Sequence, residues 1–319
     1  MHPFYPIIKP YKIHELKVSE PHVLYIEEVG NPEGIPVIIL HSGPGAGGDN
    51  HLRRFFDPQI YRMIIADQRG CGRSTPYIAL EYNDTKNLLD DIDAIRDYLE
   101  IKSFVLFGGG FGALLALLYA ELYPQQVLGL LIYQIFLGRK QDIDWLFKSG
   151  ANLIYPDYWQ EFLSIVPIEE QQTVLQYYSA CFRGDNELIR MSAAKNWALW
   201  KARCSSFQPH LCLIEQYCDP HFALALAALE SHYINNHYFI EENQVLANIN
   251  KIRHIPTYII HGRYDIISPL EGAWKLHHAL PASILRIIRD AGHSSLEPGI
   301  IDAIIDASKE ISRQNMDAS

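Results

Sequence analysis

The stretch FVLFGGGFGALLAL at residues 104–117 decides the fold of this 319-residue chain. It joins a short apolar run, a glycine-rich turn and a run of small and apolar residues, which predicts a strand, a tight turn and a helix. A dinucleotide-binding loop begins in the same way, but Ala113 stands where G-x-G-x-x-G has its third glycine, and only the looser form of the motif accepts alanine. No acidic residue follows at a strand end roughly 20 residues later to hold the ribose. The pattern therefore gives little support to dinucleotide binding.

Strand and helix patterns alternate on both sides of this stretch. Strands are predicted at 37–40, 63–66, 104–107, 127–133, 257–261 and 283–288, helices at 84–99, 270–279 and 299–311, and an antiparallel hairpin at the sheet edge within 11–28. Between 136 and 248 the strand-like runs vanish, and helical segments rich in Trp and Tyr replace them. The predicted class is α/β: residues 1–136 and 250–319 form a mostly parallel sheet flanked by helices, with an inserted all-helical cap at 137–249.

Residues 108–112 match G-x-S-x-G, the nucleophile elbow of α/β-hydrolases, with Gly110 where the serine belongs. The elbow holds its central residue in a strained backbone conformation, so that a side-chain oxygen stands clear of the sheet. Glycine adopts that conformation at no steric cost. Gly110 therefore eases the turn and removes the attacking atom.

Other segments supply the partners that such an elbow needs. Asp265 follows one predicted strand in HGRYD, and His293 follows the next in AGHSS. The order of position 110, Asp265 and His293 is that of an α/β-hydrolase triad, in which the carboxylate orients the imidazole and the imidazole is the base. The HSGPG turn at 41–45 offers the Gly43 N–H beside the Phe111 N–H as an oxyanion hole. These motifs predict an α/β-hydrolase fold.

Composition indicates the cellular compartment of the protein and the classes of partner that it can bind. Lys and Arg number 27 against 37 Asp and Glu, and the resulting charge of -10 disfavours nucleic acid as a partner. The five cysteines show neither CxxC nor zinc-ligand spacing, so no metal or cofactor is expected and a reducing, cytoplasmic setting fits best. The N-terminal stretch has no apolar signal-peptide core, and no later apolar run has the 18 or so residues that a membrane span needs. The oligomeric state is left open.

The chain resembles prolyl iminopeptidases, which are serine aminopeptidases that remove N-terminal proline. The resemblance runs nearly end to end. It is carried by HSGPG at 41–45, DQRGCGRSTP at 67–76, the elbow at 108–112, WALW at 197–200, LESHY at 229–233, HGRYD at 261–265 and AGHSSLEPG at 291–299. It implies a helical cap over the carboxyl edge of the sheet, a proline pocket beneath it, and a small peptide or proline-like molecule as the partner.

The chain departs from the family pattern at its most informative positions. The resemblance implies serine at 110, tryptophan at 111 and glycine at 42, where this chain has Gly110, Phe111 and Ser42. It also implies a glutamate after WALW that binds the substrate ammonium together with Glu230, and this chain has Lys201 there. A unit charge about 5 Å from an ammonium is worth roughly 3 kcal/mol at an effective dielectric near 20. Either Lys201 repels that ammonium, or it pairs with Glu230 and fills the anionic site from within.

Aromatic residues of the helical region, with Phe136 at its start, are expected in the core or lining the substrate pocket. Cys71 is interpreted as structural, and the Ser42 hydroxyl is a candidate to enter the space vacated at position 110. Three functions follow: a family member without peptidase activity that binds a small ligand, a genuine peptidase carrying a Ser-to-Gly change, or general-base chemistry reassigned to His293 and Asp265.

Overall fold

The computed structural model describes residues 4–208 and 211–317. Its strands are β1 (Lys12–Lys17), β2 (Val23–Gly30), β3 (Ile35–Leu40), β4 (Tyr61–Ala66), β5 (Phe104–Gly109), β6 (Val127–Tyr133), β7 (Thr257–Gly262) and β8 (Ile284–Ile288). They form one sheet in the order β1-β2-β4-β3-β5-β6-β7-β8. β2 runs antiparallel to both β1 and β4, and every other neighbouring pair is parallel. The predicted edge hairpin is confirmed as β1 and β2.

Helices cover both faces of this sheet. They are α1 (Thr85–Tyr98), α2 (Phe111–Leu122), α3 (Lys140–Phe147), α4 (Ala151–Ile154), α5 (Pro156–Leu163), α6 (Val174–Arg183), α7 (Glu187–Ser205), α8 (Leu211–Tyr217), α9 (Pro220–Asn235), α10 (Gln244–Asn248), α11 (Leu270–Ala279) and α12 (Pro298–Asp317). Short 3-10 helices lie at Leu52–Phe55, Pro124–Gln126, Ile168–Thr173, His237–Phe239 and Ile249–Ile252. The predicted α/β class, a mostly parallel sheet flanked by helices, is confirmed.

Local chemistry sets several of these boundaries. Asp84 caps α1 because its carboxylate accepts the backbone N–H of Asn87 at 2.8 Å. α12 continues to Asp317, six residues beyond the predicted end at 311, and within this extension the Gln314 side-chain amide donates to the Tyr258 hydroxyl at 3.1 Å.

Two apolar layers enclose the sheet. We call residues 140–248 the helical insertion. One layer contains α1, α2 and most of the helical insertion, and the other contains α12 and the Leu52–Phe55 turn. α2 is buried from Phe111 to Glu121 because the sheet lies on one side and the helical insertion on the other. Among the described residues, no helix has the length and apolarity to cross a bilayer. The carboxyl ends of β3, β5, β7 and β8 meet at the edge that faces the insertion.

Candidate active site

Gly110 lies at the sharp turn from β5 into α2. Its backbone has φ 55° and ψ −119°, a conformation that L side chains rarely adopt and that glycine reaches without strain. Its N–H donates to the carbonyl oxygens of Tyr133 and Gln134, both at 3.2 Å, and its own carbonyl accepts the N–H groups of Ala113 and Leu114 at 3.1 Å. The backbone of the elbow is therefore intact without a nucleophile side chain.

The glycines around the elbow have different reasons for being glycine. A Cβ atom at Gly112 would lie 2.2 Å from the carbonyl oxygen of Leu40, and one at Gly108 would lie 2.5 Å from the backbone of Gly112. These two positions need glycine because helix and strand touch backbone to backbone. A Cβ atom at Gly110 would meet only Ser42 Oγ closely, at 2.7 Å, with the next atom 3.8 Å away. The Ser42 hydroxyl thus lies in the space that a side chain at 110 would fill.

His293 and Asp265 form the hydrogen-bonded pair that the motifs predict. Nδ1 of His293 lies 2.9 Å from Oδ2 and 3.0 Å from Oδ1 of Asp265. Burial acts to raise the pKa of Asp265, but the charge and hydrogen bond of His293 outweigh it and hold that pKa below its usual value. The carboxylate is therefore ionised, and it fixes the imidazole with Nδ1 as donor and Nε2 free to accept a proton.

Sequence reasoning missed the residues that hold this pair in place. The Ser268 N–H donates to Asp265 Oδ1 at 2.8 Å. His261 accepts the Ile135 N–H at Nδ1 and donates from Nε2 to the Ser268 carbonyl, so its ring joins the ends of β6 and β7. The signal was available in HGRYD, which opens with His261. The Gln134 side-chain amide also donates to the His293 carbonyl.

The loop after β3 carries the other half of the predicted oxyanion site. His41 donates from Nδ1 to the Ser42 carbonyl at 2.8 Å and accepts the Gln68 N–H at Nε2 at 2.9 Å, which fixes the backbone beside Gly43. Phe111 is the first residue of α2, so its N–H has no acceptor within the helix. Both residues line one cleft.

This Gly110 cleft runs from the elbow to the helical insertion and, together with the open solvent at its mouth, comprises about 390 Å³. Seven of the eight predicted site residues line it, namely Gly43, Gly110, Phe111, Phe136, Lys201, Glu230 and His293. The eighth, Asp265, lies behind His293. Residues spread over some 250 positions of the sequence are therefore brought to one cleft.

The charged end of the cleft is neutralised from within the protein. Lys201 on α7 contacts the Glu230 carboxylate on α9 directly through Nζ. Trp197 Nε1 donates to the other carboxylate oxygen at 2.7 Å. The Lys201 and Glu230 side chains are only 10% and 4% exposed. Of the two alternatives that the sequence left open for Lys201, the structure has the internal pairing.

Cys71 is buried, and its thiol donates to the Gln68 carbonyl at 3.3 Å. Burial raises the pKa of the Cys71 thiol far above its usual value, which leaves it protonated and unreactive. Among the described residues, no group of three or more His, Cys, Asp or Glu side chains could hold a metal ion.

Comparison with known proteins gives the family. The model of the α/β hydrolase fold family matches residues 35–299. The proline iminopeptidase of Arabidopsis thaliana is 42% identical over 309 residues, covering 96% of this chain and 81% of that protein. The probable proline iminopeptidase of Leptolyngbya boryana is 42% identical over 308 residues, covering 96% of each.

Solved structures agree on the fold. A proline iminopeptidase-related protein from Thermus thermophilus superimposes with a TM-score of 0.61 at 21% identity, covering 95% of this chain and 97% of that one. A bromoperoxidase from Bacillus anthracis superimposes with a TM-score of 0.64 at 18% identity, covering 95% of this chain and all of that one. The chain belongs to the proline iminopeptidase family of proteins with the α/β-hydrolase fold.

Proposed function

We propose that this protein is a diverged family member that does not release N-terminal proline through a serine acyl-enzyme and that binds a small peptide or proline-like molecule in the Gly110 cleft. One observation carries the proposal: Ser42 Oγ lies 2.7 Å from the position of a Cβ atom at Gly110. The Ser42 hydroxyl occupies the space of the missing side chain, so the glycine at 110 and the serine at 42 compensate for each other. A lone Ser-to-Gly change would leave this space open.

The loss of the attacking oxygen has a large effect on turnover. Removing the serine of a Ser-His-Asp triad lowers turnover by roughly a millionfold, because only the oxyanion hole and substrate binding remain. The His293–Asp265 pair keeps its geometry here, but it has no hydroxyl at position 110 to deprotonate. Release of proline by the ordinary route is therefore not expected.

The Lys201–Glu230 pair indicates which ligands the cleft accepts. A free N-terminal ammonium would have to compete with Lys201 for a carboxylate that already has two donors. A ligand without that charge meets no such competition, and the rings of Phe111 and Phe136 offer it an apolar wall. We therefore expect N-blocked prolyl peptides or neutral cyclic molecules to bind better than peptides with a free imino terminus.

The direct test is hydrolysis of proline p-nitroanilide by the wild-type chain. We expect no release above the uncatalysed rate, and robust turnover would overturn the proposal. Binding of N-acetylproline amide and of proline amide is then compared by calorimetry, with tighter binding of the N-blocked compound expected.

Restoration by substitution tests the coupling of the two serine positions. Gly110→Ser alone is expected to stay inactive on proline p-nitroanilide, because the Ser42 hydroxyl must turn out of the space that the new side chain needs and Lys201 still occupies the Glu230 carboxylate. Ser42→Gly with Gly110→Ser, combined with Lys201→Glu, should gain turnover. If Gly110→Ser alone restored full activity, the protein would be a genuine peptidase with one changed residue.

A second candidate rests on the preserved His293–Asp265 pair, which could act as a general base on water without any serine. His293→Ala decides this, because any hydrolysis that survives the substitution does not use the pair.

A further inference from the structure

A second cavity adjoins the Gly110 cleft and, together with the open solvent at its mouth, comprises about 660 Å³. The two spaces share Ser42 and His293 as walls. We call it the Ser295 cavity, because Ser295 lines it together with His51 and Asp49. These three side chains have no role in the mechanism that the sequence motifs predict.

The three side chains form a hydrogen-bonded chain. Ser295 Oγ lies 3.2 Å from Nε2 of His51. Nδ1 of the same ring lies 3.1 Å from Oδ1 of Asp49. Nucleophile, base and orienting carboxylate are thus linked through the two different nitrogens of one imidazole, which is the geometric requirement for a triad.

We propose that Ser295, His51 and Asp49 form a second serine-hydrolase centre, which cleaves small neutral acyl esters in the Ser295 cavity. Ser295 Oγ attacks the ester carbonyl carbon while its proton passes to His51 Nε2. The bond to the leaving oxygen then breaks, and that oxygen takes the proton from His51 as an alcohol departs. Water, deprotonated by His51, attacks the acyl-Ser295 ester, releases the carboxylic acid and restores the serine hydroxyl.

The surroundings of Asp49 suit an orienting carboxylate. Burial acts to raise the pKa of Asp49, but hydrogen bonds and charge from His51 outweigh it and hold that pKa well below its usual value. The Gln216 side-chain amide donates to Oδ2 at 3.1 Å. Oδ1 also accepts the His51 backbone N–H at 3.0 Å. The carboxylate is ionised and held from several directions, so it keeps Nδ1 of His51 as the donor.

The base and a candidate oxyanion donor are also positioned. The His51 ring packs edge-on against Phe55, with centroids 6.2 Å apart. Tyr133 lines the same cavity, and burial raises the pKa of its hydroxyl while the Ser295 side chain acts in the opposite direction. A protonated phenol in the wall of this cavity is the candidate donor for the oxygen that becomes charged during attack.

The substrate class follows from the charges around the cavity. The Asp49 carboxylate is the one charged group of the triad, and both of its oxygens already have donors on His51 and Gln216, so a free ammonium would have to compete with these donors and a carboxylate would be repelled. The side-chain exposures of 22% for His51 and 37% for Asp49 leave the site open to solvent. A small uncharged acyl ester fits these conditions, and this activity is separate from the ligand binding proposed for the Gly110 cleft.

The experiment uses the full chain with p-nitrophenyl acetate and with a fluorophosphonate probe, whose attachment site is located by peptide mass spectrometry. We expect probe on Ser295 in the wild type and none in Ser295→Ala. His51→Gln should lower the ester turnover number by about a hundredfold or more, the usual contribution of a general base. Ser149→Ala, on the exposed surface, is the matched control and should label and hydrolyse like the wild type.

Ser295→Cys provides a second test in case Ser295→Ala fails to fold. A thiol next to His51 should lose fluorophosphonate reactivity and gain rapid alkylation by iodoacetamide. Probe on Ser42 instead of Ser295, or neither labelling nor ester turnover, would overturn the inference. Turnover of proline p-nitroanilide that persists in Ser295→Ala would overturn the proposed function and leave this inference standing.

Discussion

At the residue scale, the charge of Lys201 has consequences for stability as well as for ligand choice. Its ammonium and the Glu230 carboxylate are almost wholly removed from water. Burying two charges costs several kcal/mol, which their mutual attraction and the Trp197 hydrogen bond offset only while both partners are present. The pair is thus a point where one substitution leaves an unpaired buried charge.

Lys201→Met should therefore destabilise the protein by about 3 kcal/mol, the cost typical of breaking a buried ion pair from one side. The measurement is urea denaturation at pH 7. Lys195→Met is the matched control, because Lys195 lies on the same helix α7 with an exposed side chain; it should change the free energy of unfolding by less than about 0.5 kcal/mol. Glu230→Gln added to Lys201→Met should recover most of the loss. Equal losses for the two lysines would contradict this account of the pair.

At the element scale, the backbone contact between α2 and β3 positions the elbow. Gly112 on α2 packs directly on the Leu40 carbonyl, and the first turn of α2 carries Phe111 into the Gly110 cleft. A helix pushed away from β3 would displace the elbow and the adjoining turn together. The precision of the cleft therefore depends on one glycine that does not line it.

Gly112→Ala should lower the free energy of unfolding by about 1–3 kcal/mol, the usual cost of overpacking, because neither the Leu40 oxygen nor the helix backbone can yield easily. Gly129→Ala in β6 is the control. A Cβ atom there would have Pro256 O as its nearest neighbour, at 3.4 Å, which is an ordinary contact. That substitution should be neutral or slightly stabilising, because alanine restricts the unfolded chain. Urea midpoints for both variants decide the matter, and an unchanged midpoint for Gly112→Ala would refute the packing argument.

Strands and the elbow were predictable at this scale, whereas contacts between loops were not. Buried strands are recognisable in a sequence as short apolar runs. The runs at 104–107 and 127–133 were predicted as strands for this reason, and they are β5 and β6 in the structure. Asp265 and His293 each sit in a motif just past a strand. Ser295 and His51 lie in loops 244 positions apart, and no periodicity relates two such loops. Only the parallel order of the strands brings those loops to one edge of the sheet.

At the scale of the whole molecule, buried ionisable groups lower the free energy of unfolding both when the pH falls and when it rises. Burial lowers the pKa values of His41 and His261. Each ring accepts a backbone N–H when neutral, so their contribution is present above about pH 6.5 and is lost as the pH falls below it. Glu121 has the opposite behaviour, because burial raises the pKa of its carboxyl group to about 7.

The sign for Glu121 follows from its two states. The unfolded chain releases the proton near the ordinary value of 4.5, whereas the folded protein keeps it up to about pH 7. Stability from this group is therefore complete below pH 4.5 and is lost as the pH rises through 7. At one unit of pKa per 1.36 kcal/mol, the loss between pH 5.5 and pH 8 is about 2 kcal/mol.

Glu121→Gln should remove this loss, because an amide has no proton to release. Relative to the wild type, its free energy of unfolding should rise by about 2 kcal/mol between pH 5.5 and pH 8. Urea denaturation at the two pH values gives this difference, in which His41, His261 and every other titrating group cancel because both chains contain them. Glu33→Gln, at an exposed carboxylate, is the control for amide substitution in general. A Glu121→Gln advantage that does not grow with pH would mean that the Glu121 carboxylate is already ionised in the folded protein, with its charge balanced by Lys251 near the end of α2.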